Sequence, residues 1–245
     1  MKYGFFSDVH ANLEALKACI IDFRSEKLDK LFFLGDAVGY GPFPDECVKL
    51  INEVASVKLM GNHDYAALGL METDYFNQYA AESMGWTKSS ISRKTTEIMS
   101  DFDIQYAIED ILLVHSSPKE PEFWHYILDM DDARESFDYF NQHICLVGHT
   151  HRPYIVYKDE KNESDEVFLS KQAEEALVEG RRYLVNIGSV GQPRDGDPRS
   201  CYLIFDNEQN TIRHKRVTYN VKATQKDMAK IGMPDYLIER LAVGR

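Results

Sequence analysis

The stretch Lys2-Tyr-Gly-Phe-Phe-Ser-Asp8-Val-His10-Ala-Asn12 opens with an apolar strand pattern and ends in two potential metal ligands. Side chains two residues apart on an extended chain point to the same side. Asp8 and His10 can therefore offer a carboxylate oxygen and an imidazole nitrogen to one cation. By itself such a pair more often caps a strand and exposes a histidine, so the prediction depends on the rest of the chain.

Four further apolar runs end in side chains of the same kind. They are Leu31-Phe-Phe-Leu-Gly-Asp36, Val57-Lys-Leu-Met-Gly-Asn62-His63-Asp64, Ile111-Leu-Leu-Val-His115 and Ile144-Cys-Leu-Val-Gly-His149-Thr-His151. Open α/β sheets place their sites beyond the carboxyl ends of their strands. Five runs that share one ending therefore predict one metal site, assembled where the strands end.

The segments between these runs predict an α/β fold. Apolar residues at helical spacing follow Asn12, a potential helix cap, and recur over Asp45–Val54. The resulting β-α-β-α-β order favours parallel pairing of the first three strands, the third of which is expected at Val57–Met60. From residue 65 to 100 the pattern is mostly helical, with Tyr75 among the aromatic positions.

The second half of the chain is richer in strand patterns. A hairpin is expected over 103–114, followed by a Pro- and aromatic-rich loop, Ser116–Tyr126, above the mouth of the site, and by a helix over Asp131–Gln142. Further strands are expected to complete a second sheet, at 154–157, 183–187, 201–205 and 211–217.

Two segments stand apart from this pattern. Residues 158–182 turn acidic, which predicts an exposed surface insertion without a chemical role. Residues 221–245 form a helical tail that is broken at 232–234. Because no internal repeat or low-complexity linker divides the chain, a single domain over 1–245 is expected.

Composition narrows the classes of function. The net charge of −12 and the pI near 5.1 oppose nonspecific binding to nucleic acid or to an anionic membrane. No apolar run reaches the roughly 18 residues of a membrane span, and no signal-peptide pattern opens the chain, so a cytoplasmic location is expected. The cysteines have no C-x-x-C spacing and are expected to be buried free thiols, at Cys19, Cys47, Cys145 and Cys201.

The candidate ligands carry oxygen and nitrogen atoms, without thiolate. This set points to Mn²⁺, Fe, Zn²⁺, Ni²⁺ or Co²⁺. There are seven candidates, Asp8, His10, Asp36, Asn62, His115, His149 and His151. Seven ligands are too many for one ion and suit two ions that share a carboxylate. Two ions about 3.5–4 Å apart can hold a bridging hydroxide and two phosphate oxygens, which favours in-line attack on phosphorus.

His63 remains once the ligands are assigned. It adjoins Asn62 and is expected to project away from the metals, which suits general acid catalysis on the leaving oxygen. Asp64 is expected to orient His63 or to raise its pKa by favouring the imidazolium.

The same residues, taken in order, resemble the full signature of the calcineurin-like metallophosphoesterase superfamily. The resemblance extends to Asn186-Ile-Gly-Ser-Val-Gly-Gln-Pro-Arg194, which is similar to a segment of small YfcE-like phosphodiesterases and their diadenosine-tetraphosphatase-like relatives. It implies a four-layer α-β-β-α sandwich of two mixed sheets. It also implies that Asp8, His10, Asp36 and His151 hold one metal, that Asp36, Asn62, His115 and His149 hold the other, and that His63 is the acid.

Two departures from that signature are informative. The Ser/Thr protein phosphatases of the superfamily read Gly-Asp-x-x-Asp-Arg-Gly, whereas this chain has Gly39 and Tyr40 in place of the second Asp and the Arg. This substitution counts against a protein phosphatase. The motif at His115 lacks its usual following glycine, which we interpret as a changed loop shape.

The negative charge of a bound phosphate group must then be neutralised by other side chains. Arg194 and Arg199 are the candidates, although both also suit surface salt bridges with Asp195 and Asp197. Tyr40, Trp124 and His125 are candidates for a nucleobase or aromatic leaving-group pocket, or for loop aromatics that cover a core edge.

The leading hypothesis is a dinuclear metal-dependent phosphoesterase that hydrolyses small phosphodiesters or nucleotides, with Mn²⁺ as the expected metal. The alternatives are a phosphomonoesterase or Ser/Thr protein phosphatase, and a catalytically silent scaffold of the same fold that serves protein interaction. No nucleic acid polymer and no membrane is expected as a partner, and the oligomeric state is left open.

Overall fold

Two six-stranded mixed β-sheets pack face to face in a computed structural model that describes residues 1–74, 76–161 and 165–245. The strands are β1 Lys2–Phe6, β2 Lys30–Phe33, β3 Val57–Lys58, β4 Gln105–Ile108, β5 Ile111–Val114, β6 Ile144–Val147, β7 Tyr154–Asp159, β8 Val167–Leu169, β9 Glu174–Ala176, β10 Arg181–Asn186, β11 Ser200–Asp206 and β12 Thr211–Val217. The first sheet has the order β3-β2-β1-β11-β12-β9, and the second has the order β4-β5-β6-β10-β7-β8.

Helices cover the outer face of each sheet. They are α1 Leu13–Ser25, α2 Pro44–Val54, α3 Asn62–Ala67, α4 Gln78–Ser90, α5 Arg93–Met99, α6 Met130–Ser136, α7 Val221–Lys230 and α8 Asp235–Glu239. Asn12 caps α1 by accepting a hydrogen bond from the Ala15 N–H at 3.2 Å, as the sequence predicted. No helix among the described residues has the length and apolar character needed to cross a bilayer.

The alternation of side chains along β1 shows how the layers are held together. Phe5 lies in the core between the two sheets, whereas Phe6 lies in the core between the first sheet and its helices. Both rings are fully buried, and burial of such a ring contributes about 1.5–3 kcal/mol. A third core, which includes Val147 and Phe137, joins the second sheet to α6. The predicted four-layer α-β-β-α sandwich is therefore confirmed.

Strand register brings the predicted ligands to one edge. The strands β1, β2 and β3 pair in parallel, and Phe6 lies opposite Phe33, so both strands end at the same level. Past that end, the Asp8 N–H donates to the Gly35 carbonyl at 2.9 Å and the His10 N–H donates to the Asp36 carbonyl at 3.0 Å. In the second sheet, β5 and β6 are also parallel, which aligns their ends in the same way.

Several sequence expectations are corrected by the structure. The third strand is shorter than 57–60, and the helix expected over Asp131–Gln142 ends at Ser136 and is followed by a short 3₁₀ turn. Only β7, β8 and β10 among the later strands join the second sheet. Strands β11 and β12 join the first sheet, because β11 pairs antiparallel with β1.

The acidic segment 158–182 is more than a surface insertion. Its strand β8 pairs with β7 in the second sheet, and its strand β9 pairs with β12 in the first sheet. Leu177 from this segment is buried in the core between the sheets. Both strands are three residues long and lie at sheet edges, where charged side chains are common. For this reason the acidic composition did not indicate that the segment contains strands. Residues 162–164 of this segment, and Tyr75, lie outside the described residues.

Candidate metal centre

Six of the seven predicted ligands converge at the strand ends in two groups that share one carboxylate, and Asn62 lines the adjoining cleft together with His149. Ligand atoms of Asp8, His10, Asp36 and His151 lie within 4.8 Å of one another, and so do those of Asp36, His115 and His149. Oδ2 of Asp36 is 3.5 Å from Nε2 of His10 and 3.5 Å from Nε2 of His115, one histidine from each group. This arrangement suits a carboxylate that bridges two positions.

The loops that carry the ligands adopt uncommon backbone conformations. Five of the seven candidates have positive φ, with values of 54° for Asp8, 47° for His10, 60° for Asp36, 64° for His149 and 60° for His151. Non-glycine residues rarely adopt this region, and such strain persists where the surrounding structure enforces it. The chain therefore turns sharply after β1, β2 and β6, so that the candidate ligands that follow these strands face one centre.

Backbone carbonyls fix the orientation of three ligand histidines. Nδ1 of His10 is 3.0 Å from the Val38 carbonyl, and Nδ1 of His151 is 2.6 Å from the Gln192 carbonyl. Nδ1 of His115 is likewise 2.7 Å from the Leu34 carbonyl. A carbonyl accepts a hydrogen bond from Nδ1–H, so in the neutral ring the lone pair lies on Nε2, which is available to the centre.

Buried atoms without a partner test whether this donor set fits a metal. Within the described residues, Asp8 Oδ1, Asn62 Oδ1, His115 Nε2 and His149 Nε2 have no hydrogen-bond partner. Buried polar atoms are nearly always satisfied, and exceptions call for an explanation. They are four of the eleven such atoms in the described residues, and these four, which are hard oxygens and imidazole nitrogens, belong to predicted ligands. The residues therefore fit divalent cations, as the sequence predicted.

The electrostatics of the centre also favour bound cations. Burial by itself raises the pKa of Asp36, but His115, His63 and His10 hold that pKa well below its usual value. Burial lowers the pKa of His115, yet the carboxylate of Asp36 raises it to about 9 overall. Burial lowers the pKa of His10, His149 and His151. The lowered pKa values keep His10, His149 and His151 neutral beside an ionised carboxylate, which are the forms that bind metals, whereas His115 must release a proton before it can act as a ligand.

His63 lies beside the ligands in an aromatic environment. Its ring is 4.8 Å from His10, 4.6 Å from Tyr40 and 4.8 Å from Phe76, measured between centroids. Burial, assisted by the positive charge of Arg194, lowers its pKa to about 4. Its Nδ1 has no partner among the described residues.

Gly39 explains this unpartnered nitrogen. A Cβ at position 39 would lie 2.3 Å from Nδ1 of His63, and Gly39 has a φ of +87°. Position 39 is where the protein phosphatases of the resembled family have the aspartate that assists their histidine. In this chain packing, rather than a carboxylate, orients His63.

Asp64 does not contact the His63 ring in the way that the sequence suggested. Its carboxylate accepts hydrogen bonds from the backbone N–H groups of Asp36, Ala37, Val38 and Gly61, at 2.8, 2.9, 3.2 and 3.1 Å. Burial raises its pKa to about 7, with Asp36 adding to the effect. The structure gives Asp64 the role of shaping the Asp36 loop, and a sequence motif cannot distinguish that role from contact with the imidazole.

The four substrate-binding candidates fall in different places. Arg194 and Tyr40 are neighbours, since Nη2 of Arg194 is 3.5 Å from the Tyr40 hydroxyl and Tyr40 packs on His10. His125 lines a cleft beside the ligands. Arg199, in contrast, forms a bidentate salt bridge with Asp197, at 3.0 and 2.6 Å, so the salt-bridge alternative holds for Arg199.

An aromatic cleft of about 480 Å³ opens directly from the ligand cluster. Its lining residues are Asn62, Tyr65, Met71, Phe76, Glu122, Phe123, Trp124, His125, Tyr126 and His149. The Tyr126 ring stacks on His149 with centroids 4.0 Å apart. The predicted loop 116–126 thus forms one wall of the site. Trp124 and His125 line this cleft, whereas Tyr40 does not.

Asn186 is a supporting residue that sequence reasoning did not single out. Its Nδ2 donates to the Gly148 carbonyl at 2.5 Å and to Thr150 Oγ1 at 2.9 Å, which holds the loop between the two ligand histidines. The signal was available, because Asn186 is the first residue of the Asn-x-Gly-Ser segment.

The fold and the ligand cluster together define a metallophosphoesterase. A family model described as the calcineurin-like phosphoesterase superfamily domain matches residues 1–210, and the chain belongs to that superfamily. An uncharacterised protein of Methanocaldococcus jannaschii, MJ0912, is 38% identical over 245 residues, which cover 98% of this chain and 96% of that protein.

Two solved structures extend this comparison. A metallophosphoesterase from Sphaerobacter thermophilus is 37% identical, with a TM-score of 0.87 over 100% of this chain and 99% of the other. The hypothetical protein PH1004 from Pyrococcus horikoshii has a TM-score of 0.77 at 17% identity, over 100% of this chain and 98% of its own, and shows the same fold. The family resemblance drawn from the motifs is confirmed.

Proposed function

We propose that the protein is a dinuclear metal-dependent hydrolase of small phosphodiesters or nucleotides. The observation that carries the proposal is the pair of buried ligand clusters that share the carboxylate of Asp36 and contain atoms without a hydrogen-bond partner, among them Asp8 Oδ1 and His149 Nε2. Asp8, His10, Asp36 and His151 would hold one ion, and Asp36, Asn62, His115 and His149 would hold the other. Two divalent ions, when bound, act as Lewis acids and lower the pKa of water.

In this proposal His63 donates a proton to the leaving oxygen. The ring is held between Tyr40 and Phe76, next to the ligand His10, so its distance from the reacting phosphate is fixed by packing. Its low pKa reflects burial. An anionic phosphoryl group next to the ring would favour the imidazolium and raise that pKa, which prepares His63 to act as an acid.

The aromatic cleft supports a substrate with a flat leaving group. Asn62 and His149 are both ligand candidates and lining residues, so a group bound in the cleft would be attached directly to the scissile phosphate. Glu122 is the charged lining residue, and the other walls are largely aromatic. Stacking on such side chains contributes about 1–3 kcal/mol per base. A nucleobase or an aryl group fits this chemistry better than a phosphorylated protein side chain.

Hydrolysis of bis-p-nitrophenyl phosphate with Mn²⁺ tests the proposal. Asp36→Asn should remove bound metal. Loss of a residue that only supports a metal ligand typically lowers activity roughly 10–100-fold, and we expect kcat/KM of this variant to fall by more than that. His63→Ala should keep the metal and lower kcat by about 10²–10⁴-fold. His143→Ala is the matched control, because His143 immediately precedes β6, at the end opposite His149. Equal activity in all four proteins would refute the proposal.

A further inference from the structure

A second cleft, of about 430 Å³, contains two arginines and belongs in part to the C-terminal tail. Its lining residues are Asn77, Gln78, Tyr79, Arg194, Tyr236 and Arg240. No carboxylate is among them, and the cleft shares no lining residue with the aromatic cleft. In a protein with a net charge of −12, a concentration of positive charge of this kind is unusual.

Neither arginine forms a salt bridge with an aspartate or glutamate side chain within the described part of the chain. Arg194 donates from Nε and Nη2 to Oε1 of Gln192, at 3.2 and 2.8 Å, and Arg240 donates from Nε to the Arg245 carbonyl. Nη1 of Arg194 and both terminal nitrogens of Arg240 have no acceptor among the described residues. The acidic side chains of the adjoining loop are already paired, Asp195 with Arg216 and Asp197 with Arg199.

The tail holds Arg240 in this place by packing. Met228, Leu237 and Leu241 form a buried core with Tyr40. Tyr236 stacks on Tyr79 of α4, with ring centroids 4.7 Å apart. Both guanidinium groups line this cleft, and repulsion from Arg194 adds to burial in lowering the pKa of Arg240. Such repulsion is relieved when an anion binds between them.

The cleft is connected to the metal centre through Tyr40 and Arg194. The Arg194 guanidinium is 5.7 Å from the centre of the Tyr40 ring, which packs on His10 at 4.7 Å. The Arg194 N–H also donates to the carbonyl of His151 at 3.2 Å. An extended substrate can therefore reach the cleft while its scissile phosphate lies at the ligands.

We propose that Arg194 and Arg240 bind a second, non-scissile phosphate of the substrate. Guanidinium groups match phosphate oxygens with paired hydrogen bonds, and the N-terminal end of the 13-residue helix α4 adds positive potential at the same wall. This inference rests on the proposed phosphoesterase function and narrows its substrate class. The substrate carries an additional phosphate, as nucleoside polyphosphates and 3′-phosphorylated nucleotide esters do.

Two substrates that share one reporter group test this site. They are thymidine 5′-(p-nitrophenyl phosphate) and the same ester with a 3′-phosphate. Arg240→Gln should raise KM for the 3′-phosphorylated ester by about tenfold or more, because a charge-assisted hydrogen bond to the phosphate is lost. The kcat for this ester, and the KM for the ester without the 3′-phosphate, should change less than twofold. Arg93→Gln is the matched charge control, because the Arg93 side chain is 91% exposed on α5.

The outcomes separate this inference from the proposed function. An equal change in KM for both esters, or no change for either, overturns the second phosphate site while leaving the hydrolase intact. If the wild type hydrolyses neither ester, calorimetric binding of tripolyphosphate to the metal-loaded protein decides the question. Tenfold weaker binding by Arg240→Gln than by Arg93→Gln supports the site without hydrolysis, and equal binding removes it.

Discussion

The two clefts beside the metal centre differ in chemistry and in origin. The aromatic cleft is formed by residues 62–149, within the part of the chain that the family model matches, and it includes two ligand candidates. The arginine cleft takes Tyr236 and Arg240 from the tail, beyond residue 210, and includes no ligand candidate. The first is therefore suited to the group attached to the reacting phosphorus, and the second to a more distant part of the substrate.

Because of this difference, we expect the centre and the clefts to affect different kinetic constants. Contacts next to the reacting atoms strengthen in the transition state, whereas contacts with remote groups mainly affect substrate binding. We therefore expect changes at the centre to alter kcat with every substrate. Changes in either cleft should alter KM, and only for the substrates that occupy that cleft.

The largest effect is expected from Gly39→Ala, which acts on the centre that both clefts share. The added Cβ would meet Nδ1 of His63 at 2.3 Å, so the ring or the loop must move. A displacement of about 1 Å at a catalytic group can cost about 10²-fold in rate. We expect kcat to fall by about that factor with both thymidine esters, while metal content measured by mass spectrometry stays unchanged.

Gly69→Ala is the control for backbone strain at Gly39. Gly69 also has positive φ, at +75°, but a Cβ added there would have no atom within 4 Å. The kcat of this variant should therefore match that of the wild type. A similar loss of kcat in both variants would mean that strain, rather than the position of His63, limits turnover.

A smaller effect is expected from Tyr126→Ala in the aromatic cleft. Tyr126 is 50% exposed and stacks on His149, so its removal takes away a stacking surface and little core packing. We expect KM for bis-p-nitrophenyl phosphate to rise about 5–30-fold, which corresponds to about 1–2 kcal/mol, the lower part of the range for stacking on an aromatic side chain.

Tyr106→Ala on β4 supplies the matched control, since Tyr106 is 39% exposed and is not a lining residue of the aromatic cleft. An unchanged KM in Tyr126→Ala would show that the leaving group does not occupy the aromatic cleft.

A change in ionic strength is expected to have the smallest effect. Its influence on KM distinguishes the two clefts without a mutation. Raising ionic strength from about 0.1 to 1 M shortens the Debye length from about 10 to 3 Å, which weakens half-exposed charge pairs. The KM of the 3′-phosphorylated thymidine ester should rise several-fold more than the KM of the ester without that phosphate. Parallel changes for both esters would contradict the assignment of the distant phosphate to the arginines.

The sequence predicted the cluster of candidate ligands better than it predicted the two clefts beside that cluster. Asp8, Asp36 and His149 follow strands directly, and parallel strands align their ends, so a local pattern determined their convergence. Arg240 has no motif around it. Its position depends on how the tail packs against Tyr40, and one sequence does not reveal such a contact between distant segments.

The sequence also does not show which of several possible partners a carboxylate or an arginine binds. Asp64 and Arg199 were both candidates for the site, but Asp64 binds backbone N–H groups and Arg199 binds Asp197. Either partner is compatible with the position of the residue in its loop, so the spacing of residues in the sequence does not indicate which partner is bound. The acidic segment 158–182 was misjudged for a related reason, because its strands are too short to show an alternating pattern.

The hydrogen bond from the His149 N–H to Asp8 joins residues that are 141 positions apart in the sequence. In the same way, β1 gains its antiparallel neighbour only when β11 arrives, near the end of the chain. Closing a loop of this length costs conformational entropy before the contact returns any free energy. We therefore expect the candidate ligands to come together as a set only when strands distant in the sequence have paired, so that a metal bound by the whole set would report long-range pairing rather than local structure.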